Sequence, residues 1–296
     1  MATDLFGEEI IEDVLLRDKF IEPPFSVLDT KSGSWQNRKN AWKEKGIKSE
    51  VGRYDELTFK GNVKSIDYYR KKEGIIENSI EQGTSIFDPA LCELMYKWFC
   101  PEGGHILDPF AGGSVRGIVA NYLGYKYTGI DLRQEQIDSN REQSLDILPI
   151  DNQPNYYVGD SDKQLEGFNK QFDFVFSCPP YMDLEVYSND INDLSNLSDN
   201  LFTVKYESII KKSCNLLKKD CFACFVVGDV RDKKTGFYKD LLTITKNAFY
   251  KAGLYLYNEA VLLNPIASAS MRADKQFTSG KKLVKVHQNV LIFKKI

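Results

Sequence analysis

The sequence has little histidine and cysteine, and it lacks any long apolar run. Its 296 residues include two histidines and six cysteines, and most of the cysteines lie in apolar stretches. Buried, reduced thiols are therefore expected rather than a disulfide framework, and no metal site is indicated. With no run long enough to cross a bilayer, and with an acidic start unlike a signal peptide, the sequence predicts a cytoplasmic protein without membrane contact.

One pair of cysteines has the spacing of a metal or redox motif. Cys221 and Cys224 are separated by two residues, but both lie in the apolar run 221–227. Neither a second pair nor a histidine cluster accompanies them. The pattern therefore favours two core thiols on opposite faces of a strand over a metal site.

The net charge of -3 does not indicate a nucleic-acid-binding protein, but the basic residues are concentrated in two segments, 31–53 and 272–285. The segment 35–43 is predicted to be a helix with two tryptophans. It would either bind a polyanion, with its aromatic rings available for stacking, or bury Trp35 and Trp42 and expose its lysines. The sequence leaves both interpretations open. The candidate nucleic-acid-binding residues are Arg38, Lys39, Lys43, Arg272, Lys281 and Lys282.

From residue 85 onward, strand and helix patterns alternate. A helix begins at Asp88 and Pro89, a typical cap followed by proline at the first helical position. Predicted strands cover 105–108, 127–131, 156–158, 172–177, 222–228, 254–263 and 290–293, and further helices cover 114–123, 133–143, 206–217 and 237–252. This order predicts an α/β fold, a doubly wound and mostly parallel sheet with helices on both faces. We expect an N-terminal extension at 1–84, a candidate DNA-contacting region, and one domain at 85–296.

Two connections are long, 179–204 and 264–287. Long connections in compact domains are often functional, so the first is expected to form a substrate wall or lid, while the second carries the later basic segment.

The loop after the first core strand has the composition of a nucleoside site. Asp108 to Gly113 contains glycines that let a ligand approach the backbone, and the following helix offers free N–H groups. The loop is neither a dinucleotide fingerprint nor a phosphate loop. Asp131 could accept the ribose hydroxyls and Asp160 an adenine amine, although each could instead cap the following helix. These residues fit S-adenosylmethionine better than a dinucleotide.

The loop after the strand 172–177 reads Cys178-Pro179-Pro180-Tyr181. Two prolines stiffen it and leave carbonyl groups that no local amide can bind. An aromatic ring after them could stack on a base, and a fixed carbonyl could hold an exocyclic amine for attack on a methyl group. Such a base would have to be flipped out of a duplex. The pattern is also compatible with a simple turn that ends the strand.

Together the two loops resemble the amino-methylating DNA methyltransferases. Asp108 to Gly113 is similar to the cofactor motif of that family, and Cys178 to Tyr181 is similar to its catalytic motif, in which Asp, Asn or Ser precedes Pro-Pro-Tyr. The segment 85–89 resembles the part that holds the methionine moiety. The stretches 35–53, 183–188 and 287–293 resemble phage and prophage members.

The resemblance implies a Rossmann-like methyltransferase fold with an antiparallel last strand, S-adenosylmethionine as cofactor, DNA as partner and no metal. The candidate catalytic residues are Cys178, Pro179, Pro180 and Tyr181. The candidate cofactor-binding residues are Phe87, Asp88, Asp108, Pro109, Phe110, Ala111, Gly112, Gly113, Asp131, Leu132, Asp160 and Ser161.

Cys178 departs from the family pattern, because a thiol is a weak hydrogen-bond acceptor. Ser177 or the Pro179 carbonyl could assist the reaction, or Cys178 could act as a nucleophile on a pyrimidine ring carbon. The acceptor could also be RNA or a small heteroaromatic amine, or the chain could be a DNA-binding protein that has lost catalysis on this fold. The sequence leaves open adenine or cytosine as the target, the recognition sequence and the oligomeric state.

Overall fold

The computed structural model describes residues 12–48, 87–182, 184, 188, 190–264 and 269–296. The helices in these ranges are α1 (Glu12–Phe20), α2 (Gly33–Glu44), α3 (Pro89–Phe99), α4 (Val115–Tyr122), α5 (Gln134–Ile147), α6 (Ser161–Gln164), α7 (Asp199–Leu216), α8 (Leu241–Lys251) and α9 (Ala269–Gly280). The strands are β1 (Val27–Asp29), β2 (His105–Asp108), β3 (Lys126–Asp131), β4 (Asn155–Val158), β5 (Phe172–Ser177), β6 (Leu217–Val227), β7 (Leu254–Leu263) and β8 (His287–Lys295).

These strands form one sheet in the order β1-β7-β8-β6-β5-β2-β3-β4. Every pair is parallel except those of β8, which runs antiparallel to both β6 and β7. The predicted mostly parallel sheet with an antiparallel last strand is confirmed. Because β2 pairs directly with β5, the loops that follow these two strands open onto the same edge of the sheet.

Both faces of the sheet are covered, because its central strands are apolar on both sides. Phe174, Phe176 and Cys224 pack on one face with residues of α2, α3, α4 and α5. Val175 and Phe225 pack on the other face with residues of α7 and α8. This alternation is the two-residue period of a strand buried on both sides, and it confirms the doubly wound arrangement.

The described part of the N-terminal segment belongs to the same sheet. β1 pairs in parallel with the end of β7, with Val27 opposite Val261 and Asp29 opposite Leu263. Helix α2 packs against α3, and its indole rings of Trp35 and Trp42 are buried. Residues 27–44 are thus continuous with the fold and complete one edge of it.

Several element boundaries differ from the sequence prediction, among them the starts of β6 and β8, which lie at Leu217 and His287 rather than at 222 and 290. Helix α8 begins at Leu241 rather than at 237, because residues 229–240 form a hairpin. Helix α7 begins earlier, at Asp199, and shortens the first long connection. The second long connection contains helix α9 and is not an extended loop.

The cysteines follow the expectation. All six are free, and four of them are buried. Cys224 packs in the core on one face of β6, while Cys221 contacts the core on the other face. Within the described ranges, no group of His, Cys, Asp and Glu could hold a metal ion.

Candidate active site

A cavity of about 600 Å³ lies at the carboxyl ends of the central strands. Its volume is in the range of small-molecule sites. All four candidate catalytic residues line it. The candidate cofactor-binding residues that line it are Phe87, Asp88, Pro109, Phe110, Gly112, Gly113, Asp131, Leu132, Asp160 and Ser161.

Asp108 and Ala111 are buried and are not among the residues that line the cavity. The Asp108 side chain is fully buried and accepts hydrogen bonds from Arg116 Nε at 2.5 Å, Tyr127 OH at 2.7 Å and Ser177 Oγ at 2.5 Å. Its carboxylate ties β2, β3 and β5 together beneath the loop. A buried carboxylate that is paired and hydrogen-bonded in this way fixes the backbone above it.

The glycine-containing loop is shaped by its backbone. Gly112 has φ +50°, a conformation that disfavours residues with a Cβ atom. Its N–H donates to Asp131 Oδ2 at 2.9 Å, and its carbonyl accepts from Asn140 Nδ2 at 2.7 Å. These two hydrogen bonds fix the position of the loop along the wall of the cavity.

Asp131 lies at the end of β3 and faces the cavity. Besides the bond from Gly112, its Oδ1 accepts the N–H of Arg133 at 2.9 Å. Each carboxylate oxygen can accept one more hydrogen bond, so the side chain can bind two hydroxyl groups. Burial raises the pKa of Asp131 above its ordinary value, although the N–H groups of Arg133 and Gly112 lower it in part.

Asp160 caps the following helix, which is one of the two interpretations made from the sequence, and it also lines the cavity. Its Oδ1 accepts the N–H of Asp162 at 3.1 Å and caps α6, as the structural interpretation predicts. Its Oδ2 forms an ion pair with Lys205 Nζ at 3.0 Å, and the same nitrogen donates to the carbonyl of Asn192 at 2.9 Å. Lys205 therefore links the Asp160 wall of the cavity to the connection that follows the second loop.

The second loop, Cys178 to Tyr181, is held in place through the side chain of Tyr181. The Tyr181 hydroxyl lies 3.4 Å from Cys178 Sγ, donates to the carbonyl of Val226 at 3.4 Å and accepts from Gln288 Nε2 at 2.8 Å. Its ring packs over Gly228, where an added Cβ would lie 2.9 Å from Tyr181 Cε2. The ring orientation is therefore set by β6 and β8.

The early basic segment is engaged with α3. The indole N–H of Trp35 and Lys39 Nζ both donate to Asp88 Oδ2, at 3.1 Å and 3.2 Å. Trp42 and Arg38 bind Glu93 in the same way, at 3.0 Å and 2.8 Å. The structure thus supports the interpretation in which the tryptophans are buried.

The candidate nucleic-acid-binding residues consequently differ in accessibility. Arg38 and Lys39 form ion pairs, and Lys39 lines the cavity instead of an outer surface. Lys43, Arg272 and Lys281 are exposed, and Lys282 is half-buried against the 229–240 hairpin.

Parts of the stretches that carry the sequence resemblance, and part of the second long connection, lie outside the described residues. These are 49–53, 85–86, 183, 185–187 and 265–268.

Several cavity residues were missed by the sequence prediction, among them Gln288, Arg116 and Lys205. Gln288 is a polar residue at the start of an apolar strand, and Arg116 is a cation within an apolar helix, so both carried a signal. Arg116 donates to the carbonyls of Phe110 and Ala111 at 2.6 Å and 2.8 Å, which holds the first loop from below. Lys205 carried no signal, because its partner Asp160 is remote in sequence.

The chain is similar in sequence to proteins of known families. Residues 17–142 match the model of a DNA methylase family. This confirms the resemblance drawn from the sequence, and the matched region includes α2 and the first loop. That family uses S-adenosylmethionine. The match to the DNA methylase family ends before Cys178.

Individual relatives are more distant. The chain is 28% identical over 159 residues to the Bacillus subtilis (strain 168) protein named "Putative methyltransferase YqeM", a match that covers 51% of this chain and 59% of that protein. TrmN from Thermus thermophilus is similar with a TM-score of 0.49 and 14% identity, over 71% of this chain and 49% of TrmN. Magnesium protoporphyrin IX methyltransferase (ChlM) from Synechocystis PCC 6803 with bound SAM has a TM-score of 0.46 and 11% identity, over 79% of this chain and 93% of ChlM.

The cavity also fits S-adenosylmethionine by its own chemistry. Carboxylates stand at Asp131 and Asp160, and the wall at Gly112 and Gly113 admits close approach of a ligand. Phe87 and Leu132 supply apolar surface for a flat ring. Among the described helices, none is long and apolar enough to cross a membrane.

Proposed function

We propose that the chain transfers a methyl group from S-adenosylmethionine to the exocyclic amine of adenine or cytosine in DNA. The observation that carries the proposal is the cavity itself. One wall presents Asp131 and the glycine loop, and the other presents Cys178, Pro179, Pro180 and Tyr181. A donor and an acceptor bound against these walls would meet at the carboxyl ends of β2 and β5.

The cofactor would be held by the first wall. Asp131 would bind the ribose hydroxyls, the 109–113 loop would contact the nucleoside, and Asp160 with Ser161 would border the adenine. Phe87 and Asp88 would border the methionine part, where Asp88 is already fixed by Trp35 and Lys39. When bound, the cofactor supplies an electrophilic methyl group on a sulfonium sulfur.

The second wall would position the base. Tyr181 would stack on it, and the Pro179 carbonyl would accept a hydrogen bond from the amine. This bond would orient the amine lone pair toward the methyl carbon, so that the new N–C bond forms as the C–S bond breaks and the amine proton leaves to an acceptor of the loop or to solvent. Positioning and polarisation of this kind can account for large accelerations without a general base of high basicity.

A base inside a duplex cannot reach a cavity bounded in this way. The target would therefore be flipped out of the helix, at a cost of a few kcal/mol for unstacking and unpairing. DNA is proposed as the acceptor because residues 17–142 match the DNA methylase family.

The test is transfer of radiolabelled methyl from S-adenosylmethionine to duplex DNA, with duplex RNA and free nucleosides as parallel acceptors. A rate of methyl incorporation into DNA at least about tenfold above that into RNA supports the proposal. A difference of this size corresponds to about 1.4 kcal/mol. Preferential incorporation into RNA or a nucleoside overturns the choice of acceptor. The same preparation is titrated with S-adenosylmethionine, so that loss of cofactor binding is distinguished from lack of an acceptor.

A further inference from the structure

The hairpin between β6 and α8, residues 229–240, is a feature that the proposed catalysis does not use. Arg231 and Tyr238 pair in antiparallel fashion. Lys239 N–H donates to the Val230 carbonyl and Asp232 N–H donates to the Phe237 carbonyl, both at 2.9 Å. These bonds close the two arms on each other.

Several polar groups of the hairpin bond to one another. The Asp232 carboxylate accepts the N–H of Thr235 at 2.6 Å and its hydroxyl at 2.8 Å. The Arg231 guanidinium donates to the Gly236 carbonyl at 2.9 Å and stacks on the Tyr238 ring at 3.8 Å. At its base, Asp229 Oδ1 accepts the N–H of Leu241 at 3.1 Å and fastens the hairpin to α8.

The hairpin presents an apolar ring to solvent. Phe237 is 76% exposed, although aromatic side chains bury much apolar surface when they pack. Lys233 and Lys234 are exposed at the tip, and the neighbouring Asp232 carboxylate accepts hydrogen bonds from Thr235. A single exposed aromatic residue needs no explanation, but an exposed ring on the same hairpin as two exposed lysines matches the chemistry of nucleic acid, which offers stacking surfaces and phosphates.

The hairpin begins next to the proposed catalytic loop. Gly228, one residue before it, is the residue on which the Tyr181 ring packs. Each arm contains about four residues and spans roughly 13 Å at about 3.3 Å per residue. Lys239 Nζ binds Asp199 Oδ1 at 2.8 Å, and the Lys282 side chain lies against Gly236. The later basic segment therefore abuts the hairpin.

We propose that residues 229–240 form a DNA-contacting finger that inserts Phe237 into the duplex beside the flipped base while Lys233 and Lys234 bind flanking phosphates. This inference rests on the proposed function. An apolar side chain between base steps offsets the stacking lost when a nucleotide leaves the helix. Since the finger is preformed, little conformational entropy is lost when the ring is inserted.

The first test compares methyl transfer to duplex and to single-stranded DNA by Phe237→Ala. The duplex rate is expected to fall at least about tenfold, and the single-strand rate less than about threefold, because only a duplex needs its stacking replaced. The matched control is Tyr255→Ala, which removes a ring that is 59% exposed at the amino end of β7, the opposite edge of the sheet. The control is expected to change neither rate.

An equal loss of rate on both substrates, or no loss on either, overturns the proposed insertion of Phe237. Phe237 is exposed, so its replacement is expected to leave thermal unfolding unchanged, and a shifted midpoint would identify a folding defect. Normal activity of Tyr255→Ala alongside a duplex-specific defect of Phe237→Ala supports the inference.

The second test measures binding and needs no catalysis. The affinity of Lys233→Gln/Lys234→Gln for a short fluorescent DNA duplex is measured against salt concentration, with Lys126→Gln/Lys219→Gln at the opposite edge as control. The slope of log K against log salt is expected to decrease in magnitude by about 2 in the first variant and not in the control, since each phosphate contact contributes about 0.9.

The two tests separate the inference from the proposed function. Unchanged slopes in a chain that methylates DNA overturn the finger and leave the function standing. Altered slopes in a chain that transfers no methyl group overturn the function, and the DNA contact of the finger remains.

Discussion

At the residue scale, the proposed function depends on which polar groups are already engaged within the protein and which can still bind a ligand. Asp108 and Asp131 follow neighbouring strands and look equivalent in the sequence. Asp108 is buried and bonded to Arg116, Tyr127 and Ser177. Asp131 accepts two backbone N–H groups and still lines the cavity. The sequence predicts that carboxylates end these strands, but their roles depend on partners from distant segments.

Asp131→Asn is expected to weaken S-adenosylmethionine binding about tenfold to a hundredfold, the equivalent of roughly 1.5–3 kcal/mol for hydrogen bonds to a charged group. Because burial raises the pKa of Asp131, its carboxylate becomes protonated at a higher pH than an ordinary aspartate. The affinity of the wild type for S-adenosylmethionine should therefore begin to decline at a higher pH than it would with an ordinary aspartate. Asp131→Asn has no carboxylate at this position and should not show this decline. Isothermal titration from pH 7 to pH 5 measures both.

The exposed Asp151→Asn serves as the control for lost charge, and it should bind the cofactor like the wild type. Equal affinity of Asp131→Asn and wild type at pH 7 would contradict the assignment of Asp131 to the ribose.

At the element scale, strands were easier to predict than the segments between them. The strands at 105–108, 172–177 and 254–263 have the predicted bounds, because apolar runs end there in turn residues. The start of α8 was misplaced because residues 237–240 continue the helical pattern, whereas Asp240 adopts φ +61° and the hairpin takes up the preceding residues. β1 was missed since it has three residues, and its partner β7 is more than 200 positions away.

Contacts between elements also hold the second loop in place. Tyr181 rests on Gly228 of the turn after β6, so Gly228→Ala is expected to displace the ring and lower kcat for methyl transfer about tenfold or more, with a smaller effect on the KM for the cofactor. A Cβ at 2.9 Å from a ring carbon cannot be accommodated without movement. Steady-state kinetics with both substrates varied would show the separation.

Gly167→Ala is the matched control, because a Cβ there meets no atom within 4 Å. If Gly228→Ala retained full kcat, the position of the Tyr181 ring would not matter for the reaction.

At the scale of the whole molecule, the fold class followed from the alternation of helices and strands, while the participation of the N-terminal segment did not. The described residues before α3 contribute a strand to the sheet and a helix to its cover. The indole N–H groups of Trp35 and Trp42 bind Asp88 and Glu93 of the α3 region. Such pairings across about 50 residues have no local sequence pattern.

Global stability should depend on His105, which lies at the sheet edge opposite the cavity. Its pKa is lowered to about 4 by burial and by the nearby charges of Lys170 and Lys126. The unfolded chain binds this proton near pH 6.5 and the folded chain does not, so the free energy of unfolding should fall as the pH decreases from 6.5 toward 4. Since the ring is only about half buried, roughly 1–2 kcal/mol is expected after allowance for solvent screening.

Urea unfolding at pH 7, 6 and 5 measures this dependence, and His105→Asn is the comparison. The variant should lose the part of the slope between pH 6.5 and 5, where ordinary carboxylates remain ionised. An identical slope in both proteins would contradict the lowered pKa.

The most direct measurement of the proposed reaction is nucleoside mass spectrometry of duplex DNA after incubation with the protein and S-adenosylmethionine carrying a deuterated methyl group. Wild type and Cys178→Ser are compared. We predict a label on the exocyclic amine of adenine or cytosine, and we expect Cys178→Ser to retain transfer within about tenfold, because a hydroxyl is at least as good an acceptor as a thiol. A label on a pyrimidine ring carbon that disappears in Cys178→Ser would contradict amine methylation and identify Cys178 as a nucleophile.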